Sequence, residues 1–213
     1  MAVKKTGVRA QQADETRARI LKAATRVFSQ YGYSGGRIEK ISRLAKSNDR
    51  MLYYYFKSKE QLFIKVLENV YVEFNTAESA QCFDLSQPLE ALDQLVSFVW
   101  NYYIQHPEFV SILNTENLHK GRHSKKIEQL GLLSGEALGN LEPIIRAGQS
   151  AGLFREDVDI RHTYLLISSL CYFYNSNLHT LSAFLGYDLR DNQVRAGWLT
   201  YIKDQVRRGL LAS

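Results

Sequence analysis

The sequence has few of the residues that build covalent or metal-linked scaffolds. Only two of its 213 residues are cysteines, Cys82 and Cys171, and their positions give neither a disulfide framework nor a zinc-ligand spacing. No run of 18 apolar residues is present, which argues against a transmembrane segment. The basic, polar stretch from Met1 to Gln12 lacks the apolar core of a secretory signal. These absences predict a cytoplasmic protein that does not enter a membrane.

Motifs of enzymatic chemistry are missing as well. We find no glycine-rich nucleotide loop, nucleophile elbow or metalloprotease motif, and we therefore expect neither an enzyme nor a cofactor. One arrangement leaves a metal site open: Glu116, His119 and His123 stand at positions i, i+3 and i+7, a spacing that can bring zinc ligands to one helix face. Because Gly121 interrupts that segment and no cysteine supports it, we predict no metal.

What the sequence does have is a strong asymmetry of charge. Residues 1–65 contain 15 Lys and Arg against 5 Asp and Glu, whereas residues 66–213 contain 12 against 17. The net charge of +5 thus combines a basic N-terminal third with an acidic remainder. Such a division indicates that one end of the protein meets a polyanion, although a merely solvated charged face would give the same count.

Residues 31–59 have the pattern of a helix-turn-helix. Residues 37–45 place apolar side chains on one face of a helix of barely two turns, and Asn48 is a suitable N-cap for a second short helix over residues 49–54. Two helices this short are unstable alone, so the first must brace the second. In this motif the exposed N-terminal end of the second helix reads DNA. The apolar positions of the first helix are Ile38, Ile41, Leu44 and Ala45.

Helical spacing dominates the remaining chain, and no convincing strand pattern or internal repeat appears. The fold class is therefore predicted to be all-α. Ser58 begins an S-x-x-Q capping box, and Asp191 is a suitable cap for the last helix. The expected helices run from Asp14 to Gly32, from Ser58 to about Phe83, from Pro88 to His106, from Pro107 through Leu113, from Ser124 to Ala151 with a kink or break at Pro143, from Asp157 or Asp159 onward, and from Val194 to Leu211.

Three stretches carry a resemblance to a known family. They are A-A-x-x-V-F-x-x-Y-G-Y over residues 23–33, I-x-x-I-S-x-x-A over residues 38–45, and L-Y-Y-Y-F-K-S-K-E-x-L over residues 52–62. Together they resemble the TetR (tetracycline repressor) family of bacterial transcriptional regulators. The resemblance implies a homeodomain-like helix-turn-helix head of three helices and a C-terminal helical body for ligand binding and dimerisation. The chain departs from the family pattern at residues 46–51, so the resemblance does not define its operator sequence.

These observations predict a domain plan and a set of DNA contacts. A flexible basic arm is expected over residues 1–13, the DNA-binding head over 14–74 and the body over 75–213. Residues at the start of the second short helix are candidates for base contacts, because Arg can bind guanine and Asn can bind adenine. They are Asn48, Asp49, Arg50 and Met51. The candidates for phosphate contacts are Arg37, Tyr53, Tyr54, Lys57 and Lys59.

Polar and aromatic residues among the apolar helices of the body are candidates for a ligand pocket. Buried polar groups need partners, which a ligand or another part of the protein can supply. Helix-end capping and hydrogen bonding at an interface are the alternative explanations. The candidate ligand-binding residues are Trp100, Tyr103, Asn114, Asn117, Arg122, Tyr172 and Asn175.

The sequence therefore predicts a cytoplasmic transcriptional regulator, foremost a repressor. As the resemblance implies, it would bind a palindromic operator in double-stranded DNA as a homodimer and leave it when a small-molecule effector enters the body. The alternatives are an activator, a ligand-free architectural regulator, or a module that senses a small molecule or metal and whose basic head is not a specific repressor.

Overall fold

The computed structural model describes residues 3–212, with side chains described for residues 10–135 and 138–212. Within that range the chain is all-α, as predicted, and its only extended pairing is an isolated bridge between Phe154 and Leu211. The helices are α1 Val3–Gly35, α2 Ile38–Leu44, α3 Asp49–Phe56, α4 Lys59–Ser79, α5 Pro88–Gln105, α6 Pro107–Leu118, a 3-10 turn Ser124–Lys126, α7 Leu130–Gly139, α8 Leu141–Ser150, α9 Ile160–Ser176, α10 Leu178–Leu185 and α11 Asn192–Leu210. In the part of the chain so described, none of the helices combines the length and the apolar character of a membrane span.

The chain forms two compact units. The first, which we call the head unit, comprises residues up to Tyr71 together with Ser111–Leu130, and the second, the body unit, comprises Val72–Val110 and residues from Gly131 onward. Helices α4 and α6 each contribute residues to both units. The head unit shares residues 14–71 with the predicted head, residues 14–74, whose bounds stay a prediction.

In the head unit, α1, α2 and α3 pack on one another and enclose apolar side chains. The helix α1 breaks at Gly32, where φ is 67°, so the predicted left-handed glycine is present although helical residues continue to Gly35. Such a φ suits glycine because it has no Cβ. The fully buried side chains of this core include Ile20, Phe28, Ile41, Leu52, Leu62, Phe63 and Leu67.

In the body unit, α5 packs against α8, α9 and α11. Leu92 and Trp100 of α5 are almost completely buried, as are Ile144 of α8 and Ile202 of α11. The guanidinium of Arg207 also donates two hydrogen bonds to the Asp93 carboxylate, at 2.7 and 2.8 Å. This bidentate pair fixes the register of α11 against α5.

The predicted caps are present because their side chains satisfy the first free amides of each helix. Asn48 Oδ1 accepts a hydrogen bond from Met51 N at 2.9 Å, and Ser58 Oγ accepts one from Gln61 N at 3.1 Å. Asp159 and Asp191 cap α9 and α11 in the same way. Local sequence thus fixed the start of these four helices.

Two expected boundaries were wrong. The first helix begins at Val3, so residues 3–13 of the expected arm are helical and Asp14 is not a cap; Met1 and Ala2 lie outside the described residues. Residues 124–151 form a 3-10 turn and two helices that are separated at Asn140, with Pro143 in the first turn of α8. Helix α9 follows Asp159, as predicted, and α10 follows it after Asn177. In α2, Leu44 is 44% exposed, so it is not part of the buried face.

A close contact at Gly148 generates a stability prediction. A Cβ at this position would lie 1.9 Å from Cδ2 of Phe154, whose ring is buried. We therefore expect Gly148→Ala to lower the free energy of unfolding by about 1–3 kcal/mol, because the ring must shift within a packed core. Gly135→Ala is the control, since a Cβ there meets no atom within 4 Å and should stabilise α7 by about 0.5–1 kcal/mol. Urea denaturation followed by circular dichroism measures both, and equal effects would contradict the packing argument.

Candidate nucleic-acid interface and buried polar clusters

The N-terminal end of α3 presents the residues that were predicted to contact bases. Asn48 and Arg50 are exposed, and Asp49 and Met51 are half-buried. The side-chain oxygen of Asn48 already caps α3. While this cap is kept, Asn48 can therefore offer a base only its side-chain amide nitrogen. The bidentate pairing with adenine needs both groups of the amide. Arg50 is therefore the side chain best placed to read a base.

Two tyrosines and a lysine follow along α3. Tyr53 is 45% exposed and Tyr54 is 67% exposed, and the Tyr54 ring lies edge-on to Tyr55 at 5.2 Å between centroids. Lys57 is exposed, and its Nζ donates a hydrogen bond to the Tyr54 carbonyl at 3.1 Å. These phenol and ammonium groups are suited to phosphate contacts, which orient a protein on DNA without reading sequence.

Lys59 is in a different environment from the other candidate phosphate ligands. It is half-buried, its Nζ donates a hydrogen bond to the Ser34 carbonyl at 3.2 Å, and it lies 4.9 Å from the centre of the Tyr33 ring. Burial lowers the pKa of Lys59, and the nearby Glu39 opposes this. Lys59 thus links the start of α4 to the end of α1, and its phosphate contact stays a prediction.

A second basic surface, missed in the sequence analysis, lies along α2. Arg37 is exposed and precedes α2, and its carbonyl accepts hydrogen bonds from Lys40 N and Ile41 N. Arg37, Lys40 and Arg43 follow at intervals of three residues and line one groove of about 610 Å³ with Tyr31, Gly35 and Glu39. The Lys40 ammonium lies 3.4 Å from the centre of the Tyr31 ring, a cation–π contact. The three-residue spacing could have indicated this face.

The possible metal ligands Glu116 and His123 form a buried hydrogen-bonded pair in the head unit. The Glu116 carboxylate accepts hydrogen bonds from Nδ1 of His123 and from the backbone N–H groups of His123 and Ser124, each at 2.7 Å. Burial raises the pKa of Glu116, but these hydrogen bonds outweigh it and hold the pKa below its ordinary value. The His123 ring packs on Tyr33 and Phe63, with centroids at 4.6 and 4.9 Å. Among the described residues, no group of three or more His, Cys, Asp or Glu is arranged to hold a metal.

The seven candidate ligand-binding residues do not form one group. Asn114, Asn117 and Arg122 belong to the head unit, where Asn117 is exposed and Arg122 lies 3.6 Å from Glu60. The other four belong to the body unit. They are Trp100, Tyr103, Tyr172 and Asn175.

Those four residues differ in their surroundings. Trp100 is buried against Tyr174 at 5.0 Å between ring centroids, and Asn175 Nδ2 donates a hydrogen bond to the Cys171 carbonyl at 2.8 Å. Both are therefore engaged within the helical core. Tyr103 and Tyr172 face each other edge-on at 6.1 Å, and Tyr103 also interacts electrostatically with a further residue.

That residue is Glu78 of α4, which the sequence analysis missed. Its side chain is buried, and its Oε2 atom has no hydrogen-bond partner in the described part of the chain. Burial raises the pKa of Glu78 to about 7. Burial also raises the pKa of the Tyr103 phenol, and Tyr164, Cys171, Tyr172 and Glu78 contribute to that increase in turn. No pattern of spacing in α4 indicated that this carboxyl would be buried, or that it would interact electrostatically with Tyr103 of α5 and Tyr164 of α9.

The Glu116 pair generates a second stability prediction. Replacing Glu116 by Ala leaves two buried donors of His123 and the half-buried amide of Ser124 without their acceptor, and we expect a loss of about 3 kcal/mol in the free energy of unfolding. Glu142→Ala is the matched control, because Glu142 pairs with Arg146 on the surface and should cost less than about 1 kcal/mol. Urea denaturation at one fixed protein concentration compares the variants. A loss no larger than that of Glu142→Ala would show that the pair does not stabilise the head.

The raised pKa of Glu78 generates a pH prediction. The folded protein retains a proton that the unfolded chain releases near the ordinary pKa of 4.5, so stability should fall as pH rises from about 4.5 to about 7 and then level off. The contribution of Glu78 to this fall is about 3 kcal/mol. Glu78→Gln should remove this contribution, while Glu142→Gln should retain it. Urea denaturation across this pH range measures the difference, and equal slopes for wild type and Glu78→Gln would contradict the assignment.

Comparison with known proteins agrees with this geometry. Residues 20–66 match the model for bacterial regulatory proteins of the tetR family, and residues 88–206 match that for the tetracyclin repressor-like C-terminal domain. The HTH-type transcriptional repressor NicS of Pseudomonas putida is 63% identical over 210 residues, which are 99% of each chain. The HTH-type transcriptional regulator RutR of Escherichia coli is 45% identical over 69 residues, 32% of each chain. The structure of the fatty acid degradation regulator FadR from Bacillus halodurans has a similar fold, with a TM-score of 0.68 and 20% identity over 91% of this chain and 99% of that one. This chain therefore belongs to the TetR family of DNA-binding transcriptional regulators.

Proposed function

We propose that this protein is a homodimeric repressor that binds a palindromic operator and is released from it by a small-molecule effector. The observation that carries this proposal is the exposed Arg50 at the capped N-terminal end of α3, flanked by Tyr53, Tyr54 and Lys57. The near full-length likeness to a protein named a transcriptional repressor supports repression over activation. The cytoplasm, where the chromosome is accessible, is the corresponding location.

Exposed apolar side chains in the body unit support a dimer. Leu165 is 61% exposed and Phe173 58% exposed on α9, Phe184 is 86% exposed on α10, and Tyr201 is 49% exposed on α11. Such side chains on neighbouring helices are typical of an interface between copies. Two-fold symmetry would also place two heads in successive major grooves, roughly 34–36 Å apart, which doubles the contacts that one short α3 can make.

Release by an effector requires a difference in affinity between two states. The effector must bind the form that does not fit DNA more tightly than the form that does. Because α4 and α6 each contribute residues to both units, a change of their path in the body would also move residues of the head. These two helices are the proposed route of coupling.

The experiment that tests this function is a selection of genomic DNA fragments retained by the purified protein at moderate salt. We expect one enriched palindrome whose half-sites are separated by a whole number of helical turns. Retention that depends on salt but not on sequence would refute a specific repressor and leave a general polyanion-binding head.

Two substitutions in α3 separate sequence reading from phosphate binding. Arg50→Ala should cost about 1–3 kcal/mol at one base position and relax the preference there, because a bidentate contact to guanine is lost. Lys57→Ala should weaken binding to all sequences alike and reduce the salt slope by about 1. Arg146→Ala, an exposed arginine of α8 in the body, is the control and should change neither quantity. Titration of labelled operator variants at several salt concentrations measures these effects, and uniform weakening by Arg50→Ala would refute base reading.

A further inference from the structure

A groove of about 520 Å³ opens between α7 and α9 in the body unit. One wall is formed by Gly131, Ser134 and Gly135, and the other by residues of α9 that include Arg161 and Tyr164. A Cβ at either glycine would meet no atom within 4 Å, so this wall lacks side chains where a ligand could approach. The groove is therefore wide enough, and sufficiently free of side chains, to admit a small molecule.

Tyr164 relates this groove to Glu78. Tyr164 lines the groove, and its phenol interacts electrostatically with the Glu78 carboxyl. One turn before Glu78 on α4, Asn75 Nδ2 donates a hydrogen bond to the Leu133 carbonyl at 2.9 Å. Asn75 thus fixes α7, which forms the glycine wall, to the helix that carries Glu78.

The phenols of Tyr103 and Tyr164 interact electrostatically with Glu78. Both are weak acids, so neither brings a positive charge that could pair with its carboxylate. Only 2% of the Glu78 residue surface is exposed, and Oε2 lacks a hydrogen-bond partner among the described residues. A buried carboxyl oxygen without a hydrogen-bond partner is costly, and native proteins tolerate it chiefly where function requires it.

Aromatic rings pack around Tyr103, which interacts electrostatically with Glu78. Tyr103 stacks on Phe109 with centroids 5.6 Å apart, and Phe109 stacks on Phe74 at 5.4 Å. Tyr172 meets Tyr103 edge-on. Planar rings of this kind favour a planar aromatic guest, which they can contact with faces and edges.

We propose that Glu78 is the polar anchor of the effector site and that the effector is a small aromatic molecule that donates an N–H or O–H hydrogen bond to its carboxylate. This proposal rests on the proposed effector-released function and specifies the chemistry of its ligand. The groove between α7 and α9 is the entrance, and Tyr164 lies between the entrance and the anchor. A metal ion is a poorer occupant, since no group of three or more His, Cys, Asp or Glu residues arranged to hold one occurs among the described residues.

The test compares two probes that differ in a single donor, phenol and anisole. Saturation-transfer NMR titrations of the full-length protein give a dissociation constant for each probe. We expect wild type to bind phenol about tenfold more tightly than anisole, because a hydrogen bond to a buried carboxylate is lost with the methyl ether. In Glu78→Leu the ratio should fall to about one, and in the surface control Glu142→Leu it should stay at the wild-type value.

A stability measurement accompanies the titrations. Glu78→Leu should raise the melting temperature, because it removes an unpartnered carboxyl from an apolar environment. Glu78→Gln is a second variant. It retains a hydrogen-bond acceptor and should therefore keep part of the preference for phenol over anisole. Equal affinities of the two probes for wild type, no binding of phenol at millimolar concentration, or an unchanged ratio in Glu78→Leu would each overturn the proposal.

The outcomes also distinguish this proposal from the function on which it rests. If wild type selects no operator but prefers phenol through Glu78, the repressor function fails and the donor-recognising site stands. If wild type selects an operator but shows no preference for phenol, the repressor stands and this ligand class is wrong.

Discussion

Burial of the Phe28 ring is the constraint on which the DNA-reading end depends. Helices as short as α2 and α3 are not stable alone, so their geometry must come from packing. Phe28 is fully buried, meets Phe63 edge-on at 5.1 Å and lies so close to Gly36 that a Cβ there would be 2.4 Å from the ring. Phe63 in turn packs on His123, and so α1, α4 and the segment after α6 share one aromatic core. That core holds the exposed end of α3 in place.

The protein buries two carboxyl groups in opposite environments. Glu116 accepts three hydrogen bonds, which lower its pKa against the effect of burial and fix the turn that follows α6. Glu78 has an oxygen without a partner in the described residues, and its pKa is raised to about 7. The fully hydrogen-bonded Glu116 is arranged as a structural group, whereas the unpaired oxygen of Glu78 lowers stability unless a ligand donates a hydrogen bond to it. We therefore attribute a stabilising role to Glu116 and ligand recognition to Glu78.

Much of the fold follows from local sequence, since a cap or a proline acts on the helix that it begins. Asn48, Ser58, Asp159 and Asp191 bind the amides that their positions predicted, and Pro88 begins α5. The errors arose where local preference is weak, as at residues 3–13 and at Asn140. The ligand-binding candidates were chosen by residue type alone, which cannot show that Arg122 lies on the surface of the head unit while Tyr103 lies deep in the body unit.

The sequence by itself determined the family, the all-α class and the position of the recognition helix, because these depend on motifs and helical spacing along the chain. Only the tertiary structure showed that Lys59 bonds to the Ser34 carbonyl, that Ser111–Leu130 belong to the head unit, and that Glu78 is buried. The reason is physical: the charge state and the partners of a side chain depend on neighbours that are distant in sequence. Spacing within one helix predicts which face is apolar, but not which helix will cover it.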